Sequence, residues 1–149
     1  MSMTISGDGT ITGLVAGGLP DATVTAAELA DGALVTPLPT AIGYGTGAGG
    51  TVTQITSRST AVTINKPAGS ITMFTAAGSA SPASFTVNNS LVAATDTIVL
   101  SLKSGNSNVY HYQVNGVSAG SFGITFFTTG GVASDTPVIN FAIIKGATS

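Results

Sequence analysis

The sequence predicts an all-β protein: a jelly-roll-like β-sandwich of about eight antiparallel strands, preceded by an extended N-terminal arm with one short helix. Three observations support this prediction. After residue 50, short runs of alternating apolar and polar residues are separated by turn residues. Before that point, one segment carries helix-capping residues. A glycine-rich run lies between these two parts, so we expect an arm at residues 1–42, a hinge at 43–50 and a head domain at 51–149.

The arm contains a predicted hairpin and a predicted helix, both short. Residues 3–14 alternate about a Gly-Asp-Gly turn, which is typical of a small hairpin or an extended arm. Thr25 can cap a helix with Glu28 three residues later, and Gly32 ends it. A helix of about two turns is not stable alone, so it must dock on a partner. The apolar arm positions are therefore predicted interface residues: Leu14, Leu19, Val24, Leu29 and Leu34.

The glycine-rich run is interpreted as a hinge rather than as a phosphate-binding loop. A phosphate-binding loop leads into the N-terminus of a helix and is followed by Lys-Ser or Lys-Thr. Here the run leads into strand sequence, and no such pair follows it. Pro37 and Pro39 favour an extended connector before the run. The sequence therefore predicts no nucleotide site here, and no cofactor is expected.

The head domain is predicted to consist of short strands with regular turn signals between them. About eight strands are expected, at residues 51–56, 60–65, 70–74, 84–88, 97–103, 108–114, 121–128 and 138–145. This spacing favours a sandwich or jelly roll over a parallel α/β sheet.

The last predicted strand is apolar on both faces. One face holds Ile139, Phe141 and Ile143. The other face holds Val138, Ala142 and Ile144. Either this strand is central between two layers, or its outer face meets another subunit. Val138 and Ile144 are therefore added to the predicted interface residues.

The composition favours assembly with other subunits. Only 7% of residues are charged, against about 25% in an ordinary soluble domain. Hydroxyl and amide side chains could solvate such a surface, but the mean hydropathy of +0.47 favours burial against other subunits. The four basic residues are scattered, whereas nucleic-acid binding needs clustered Lys and Arg, so no nucleic-acid partner is expected. A helix needs about 18 consecutive apolar residues to span a bilayer, and every apolar run in this sequence is much shorter. No membrane partner is therefore expected.

Catalytic and metal sites are not predicted. His111 is the single histidine, and there is no cysteine. A structural or solvent-facing role is favoured for His111, the alternative being three copies that hold an ion on a three-fold axis. The carboxylates of Asp8, Asp31, Asp96 and Asp135 each stand in turn sequence, where turn chemistry explains them. Residues 116–120, G-V-S-A-G, match the G-x-S-x-G pattern of a catalytic serine, but they lead into strand sequence and not into a helix. A catalytic serine also needs a histidine and a carboxylate that orients it, and the chain has one histidine, so we expect that the protein is not an enzyme.

The sequence resembles small virion proteins of tailed bacteriophages and prophages. Residues 9–35, GTITGLVAGGLPDATVTAAELADGALV, resemble the thread-and-helix segments of trimeric fibre and decoration proteins. Three further segments are similar to small phage virion proteins: residues 43–73, which include N-K-P-x-G-x-I-T-M, residues 84–101, SFTVNNSLVAATDTIVLS, and the final INFAIIKGATS. Together these segments cover most of the chain.

This resemblance implies a structural protein on the capsid exterior. It implies a homotrimer that binds the major capsid protein as a decoration (cement) protein and stabilises the head. The alternative is a tail-fibre or receptor-binding module that contacts host surface polysaccharide. A host glycan is expected as a partner only under this alternative. Decoration is favoured because the chain has one arm and one head and few aromatic residues for binding sugars. A tailspike esterase or lyase fragment is disfavoured, since the residues for such catalysis are missing.

Overall fold

The computed structural model describes residues 43–130 and 135–146, together with the backbone of residues 4–5 and 11–12. By its contacts the chain divides into two units, Met1–Ile42 and Gly43–Ser149. In the first unit, strand β1 (Thr4–Ile5) pairs antiparallel with β2 (Ile11–Thr12), as expected for the predicted hairpin. The predicted helix that follows Thr25 lies outside the described residues. So do the side chains of the five predicted interface residues of the arm, Leu14, Leu19, Val24, Leu29 and Leu34.

The second unit is built from strands in two four-stranded sheets. The strands are β3 (Gly49–Thr53), β4 (Val62–Thr63), β5 (Ala68–Thr72), β6 (Ala83–Asn88), β7 (Thr97–Ser104), β8 (Tyr110–Ser118), β9 (Ser121–Thr128) and β10 (Val138–Ile144). One sheet has the order β3-β5-β10-β7, and the other has the order β4-β6-β9-β8. The described part of this unit contains no helix, so the all-β prediction is confirmed for it.

The prediction that all strands pair antiparallel is wrong. β3 pairs parallel with β5, and β4 pairs parallel with β6, so both sheets are mixed. Along the chain from β3 to β6, successive strands alternate between the two sheets. When the chain comes back to a sheet, the new strand runs in the same direction as the previous strand of that sheet. Alternation of apolar residues identifies which side chains face inward, but it does not fix the direction of the neighbouring strand. The remaining pairs in the two sheets are antiparallel.

The core lies between the two sheets and follows the alternation of their strands. In β10, Ile139, Phe141 and Ile143 are buried, so of the two apolar faces predicted for this strand it is this one that points into the core. In β9, Phe122, Ile124 and Phe126 face them from the other sheet, and the rings of Phe122 and Phe141 lie 5.6 Å apart. Each such side chain contributes about 1.5–3 kcal/mol when it leaves water. These two strands, each central in its sheet, therefore supply much of the stability of the head.

Two glycines permit close approaches that a larger residue would block. A Cβ at Gly69 would lie 2.5 Å from the Gly50 carbonyl oxygen and 2.9 Å from a methyl carbon of Ile64. Gly105 has a φ of +83° and lies against the Thr136 carbonyl, where a Cβ would overlap it. The predicted hinge at residues 43–50 stays a prediction, although its last two residues belong to β3 and pair with Ala68 and Gly69.

Candidate interaction surface

One end of the sandwich, where β5 ends and β10 begins, is closed by the side chain of Arg58. This residue is only 9% exposed. Its Nε donates to the Phe74 carbonyl at 3.0 Å, and its Nη1 donates to the Ala77 carbonyl at 3.2 Å. Its Nη2 donates to the backbone carbonyls of Asp135, at 2.8 Å, and of Ala76. A single guanidinium thus fastens the loop after β5 to the segment before β10.

Tyr110 links Arg58 to the carboxylate of Asp135. The tyrosine hydroxyl accepts from Arg58 Nη1 at 3.0 Å and donates to Asp135 Oδ2 at 2.9 Å. The backbone N–H of Ser107 donates to Asp135 Oδ1 at 3.0 Å. Burial raises the pKa of Asp135, but the hydrogen bonds from Ser107, Tyr110 and Asn108 outweigh it and hold the pKa below its ordinary value. Because these hydrogen-bonding groups satisfy one another, the network is structural.

Gln54 fixes the loop that carries Arg58. Its side-chain amide donates to the carbonyls of Arg58, at 3.0 Å, and of Thr60, at 2.8 Å. Its Oε1 accepts from the Phe74 N–H at 3.2 Å. The residue is almost completely buried, so these bonds replace water that it could not reach. We call Gln54, Arg58, Tyr110 and Asp135 the locked end of the head.

At the opposite end, where β10 finishes beside the start of β7, Asp96 plays a similar part. Its carboxylate accepts from the Ala93 N–H at 2.8 Å, from the Gly146 N–H at 3.1 Å and from Lys145 Nζ at 2.6 Å. The Ala93 N–H and the Lys145 ammonium hold the pKa of Asp96 at about 2. The lysine side chain is 61% exposed, although the Asp96 side chain is fully covered. This pair therefore ties the turn before β7 to the end of β10 and leaves a cation at the surface.

Tyr112, next to the locked end, differs from Tyr110. The two rings stack at 5.9 Å, with their planes 12° apart. The Tyr112 hydroxyl is buried and has no hydrogen-bond partner among the described residues. Burial is the main cause that raises the pKa of Tyr112 well above its ordinary value. The phenol of Tyr112 therefore stays neutral, and its ring contributes through packing.

His111 lies on the exposed outer face of β8. Its ring stacks on Phe127 of β9, with the ring centroids 4.6 Å apart and the planes 16° apart. Beside this pair, Gln113 and Thr125 complete a depression of about 230 Å³ on the sheet surface. His111 is exposed, which agrees with the solvent-facing one of the two roles predicted for it. Three-fold assembly of His111 around an ion stays a prediction.

The two predicted interface residues of the head, Val138 and Ile144, lie on the outer face of β10. They are not brought together, because they stand at opposite ends of this seven-residue strand. Val138 is half-buried beside Thr72, whereas Ile144 is 56% exposed beside Thr97. Between them the face turns polar, since Ser70 donates to Asn140 Oδ1 at 3.1 Å. The described side chains thus leave an apolar patch near Ile144, which Val99 of β7 extends.

Charge on the described surface has one sign. Both carboxylates, Asp96 and Asp135, are buried and hydrogen-bonded. The exposed charged side chains between residues 43 and 146, leaving aside residues 131–134, are Lys66, Lys103 and Lys145. The sequence pattern predicted that both acids lie in turns, but it did not indicate that their carboxylates are buried and hydrogen-bonded inside the fold. The exposed lysines are therefore functional candidates that sequence reasoning missed.

Within the described residues, no group of His, Cys, Asp and Glu side chains could hold a metal ion, and no helix is long and apolar enough to cross a bilayer. No family model, curated protein or solved structure matches the chain.

Proposed function

We propose that the chain is a capsid decoration protein of a tailed bacteriophage, which binds the outer surface of the major capsid lattice as a homotrimer. The surface of β10 and β7 is the observation that carries this proposal. Ile144 and Val99 form an exposed apolar patch on a rigid sheet, and the few exposed charges beside it are lysines. A weakly charged sheet face of this kind suits burial against other protein subunits.

The proposal assigns different roles to the head and to the arm. The head is a rigid spacer, for which we propose a jelly-roll-like arrangement of its two sheets. Residues 1–42 form the attachment arm, with a short helix that becomes stable when its apolar side chains are buried. According to this proposal, the protein strengthens the shell by burying surface against neighbouring capsid subunits, and it has no catalytic role.

Copy number on the particle tests the proposal directly. Quantitative mass spectrometry of purified particles should give a ratio to the major capsid protein that corresponds to hundreds of copies. Particles stripped of this protein should lose DNA at lower temperature than complete particles, because the shell has lost its added contacts. A handful of copies per particle, or equal stability of stripped and complete particles, would contradict the proposal.

The depression beside His111 favours a second candidate, a tail-fibre module that binds host polysaccharide. Stacked aromatic rings next to the amide of Gln113 and the hydroxyl of Thr125 offer an apolar platform with hydrogen-bonding groups, as sugar sites do. If this candidate is right, Gln113→Ala should reduce adsorption to host cells without changing the amount of protein on the particle. A matched change away from the depression, Thr86→Ala on β6, should leave adsorption unchanged.

A further inference from the structure

We propose that one end of the head binds the acidic N-terminal segment, residues 1–42, of a neighbouring copy. This end is formed by Tyr44, Lys66, Leu91, Ile144 and Lys145, and we call it the basic end. The inference rests on the proposed function in expecting that copies assemble with one another, and it gives the attachment arm a neighbouring copy on the capsid as its partner. It names the surface and the segment that hold them together.

Backbone and side-chain hydrogen bonds bring the basic end together from four parts of the chain. The Ile143 N–H donates to the Pro67 carbonyl at 2.9 Å, which sets the end of β10 beside Lys66. Lys145 Nζ donates to the Leu91 carbonyl at 2.9 Å, which sets it beside the turn that follows β6. The Tyr44 hydroxyl donates to the Ile143 carbonyl. The result is one surface on which exposed apolar side chains lie among lysines.

Three exposed apolar side chains give this surface its binding area. Tyr44 and Leu91 are each 46% exposed, and Ile144 is more exposed than either. Their neighbours Lys66 and Lys145 are exposed as well. Lys145 is paired with the buried Asp96 at 2.6 Å, so Lys66 supplies most of the uncompensated charge of this surface. The surface therefore suits a segment that is both apolar and acidic.

Residues 1–42 have this composition. They contain four acids, Asp8, Asp21, Glu28 and Asp31, and no lysine or arginine. Their apolar positions, from Leu14 to Leu34, need a partner surface. Each exposed ion pair contributes at most about 1 kcal/mol, so the charges select the segment and the apolar contacts supply most of the affinity.

Docking onto a neighbouring copy, rather than onto the same chain, follows from what an assembly requires. A segment bound to its own head would cover the basic end and connect nothing. A segment bound to a neighbour links successive copies, as expected for a weakly charged chain whose surface is buried between subunits. The same docking would also give the short helix predicted to begin at Thr25 the partner surface that it needs to be stable.

Zero-length cross-linking of the full chain tests the inference. A water-soluble carbodiimide joins a carboxylate to a lysine only where the two touch. The two carboxylates of the described head are buried, so chains joined to one another must use acids from elsewhere, chiefly residues 1–42. We expect covalent dimers and trimers on a denaturing gel, whose cross-linked peptides join these acids to Lys66 or Lys145. Cross-links found only within single chains would overturn the proposal, as would a chain that stays monomeric at all concentrations.

Matched variants show whether the basic end is responsible. Lys66→Gln should reduce the covalent multimers severalfold, whereas Lys103→Gln, which removes an exposed lysine at the other end of β7, should not. Ile144→Ser should raise the dissociation constant of the assembly about tenfold in sedimentation experiments, a loss of about 1.4 kcal/mol. Ile55→Ser is the control, since Ile55 is 81% exposed and outside the basic end. Equal effects of target and control variants would overturn the proposal.

These results can be separated from the test of the proposed function. If the wild-type chain occupies capsids in hundreds of copies but forms cross-links only within single chains, the inference fails and the decoration role stands. If the chain forms the expected covalent multimers but is present on particles in only a few copies, the inference stands and the decoration role fails.

Discussion

The locked end and the basic end of the head each use a carboxylate and a cation, but they leave those charges in different states. At the locked end, Arg58 and Asp135 are both buried, and Tyr110 connects them. At the basic end, Asp96 is buried while Lys145 extends into solvent. Both arrangements fasten a loop to β10, one before its first residue and the other after its last.

This difference separates a structural task from a binding task. A buried guanidinium that donates to several carbonyls and a hydroxyl has no capacity left for a partner. A lysine has three donors on a mobile stem, so Lys145 can hold Asp96 and Leu91 and still present charge to a neighbour. Substitutions at the locked end should therefore change stability, and substitutions of the exposed side chains of the basic end should mainly change association.

The largest effect is expected from Arg58→Met, which breaks the locked end. The substitution keeps much of the apolar stem but removes the donors to Phe74, Ala77 and Asp135. Removing one member of a buried charge network costs about 3–5 kcal/mol, because its partners stay buried without hydrogen bonds. Urea unfolding followed by circular dichroism measures this loss. Lys103→Met is the control and should change stability by less than about 0.5 kcal/mol; a similarly small loss for Arg58→Met would show that Arg58 does not lock the fold.

A smaller effect is expected from Tyr110→Phe, for which the chain provides a matched control. The ring and its stacking on Tyr112 are kept, but the hydroxyl between Arg58 and Asp135 is lost. We expect a loss of about 1–3 kcal/mol. Tyr112→Phe removes a buried hydroxyl that has no partner among the described residues, so it should be neutral or stabilising. Equal losses for the two variants in the same urea experiment would argue against the bridging role of Tyr110.

The contrast between the two ends could not have been predicted from the sequence. Alternation in β10 correctly separated its two faces, since the burial of Ile139 depends on strand period alone. The partners of the charged residues are not local, because Asp135 is 77 positions from Arg58 and Lys145 is 49 from Asp96. Nothing near these residues marks such pairs. The parallel pairing of β3 with β5 was missed for the same reason, since it depends on how the chain crosses between sheets.

Acid should weaken the basic end over a defined pH range. The pKa of Asp96 is lowered from 3.8 to about 2 in the folded protein. Because the pKa of Asp96 is lower in the folded than in the unfolded chain, the ionised carboxylate stabilises the fold. This contribution is complete when the pH lies above the unfolded pKa, and it is lost as the pH falls from about 4 toward 2. Melting temperatures measured between pH 6 and pH 2 should therefore drop for the wild type at the low end. Asp96→Asn should melt lower at neutral pH and show a shallower drop on acidification; an unchanged slope would mean that Asp96 is not the group responsible.

The smallest effect on the head is expected when the arm is removed. The head has its own core between two sheets, and Tyr44, at its first turn, is hydrogen-bonded to the end of β10. Deletion of residues 1–42 should therefore leave the urea midpoint of the β domain nearly unchanged, whereas binding to capsids should be abolished. Circular dichroism and co-sedimentation with capsids measure the two outcomes on one sample. If the truncated domain still decorates capsids at full occupancy, attachment does not depend on the arm, and the outer face around Ile144 and Val99 is then sufficient for binding.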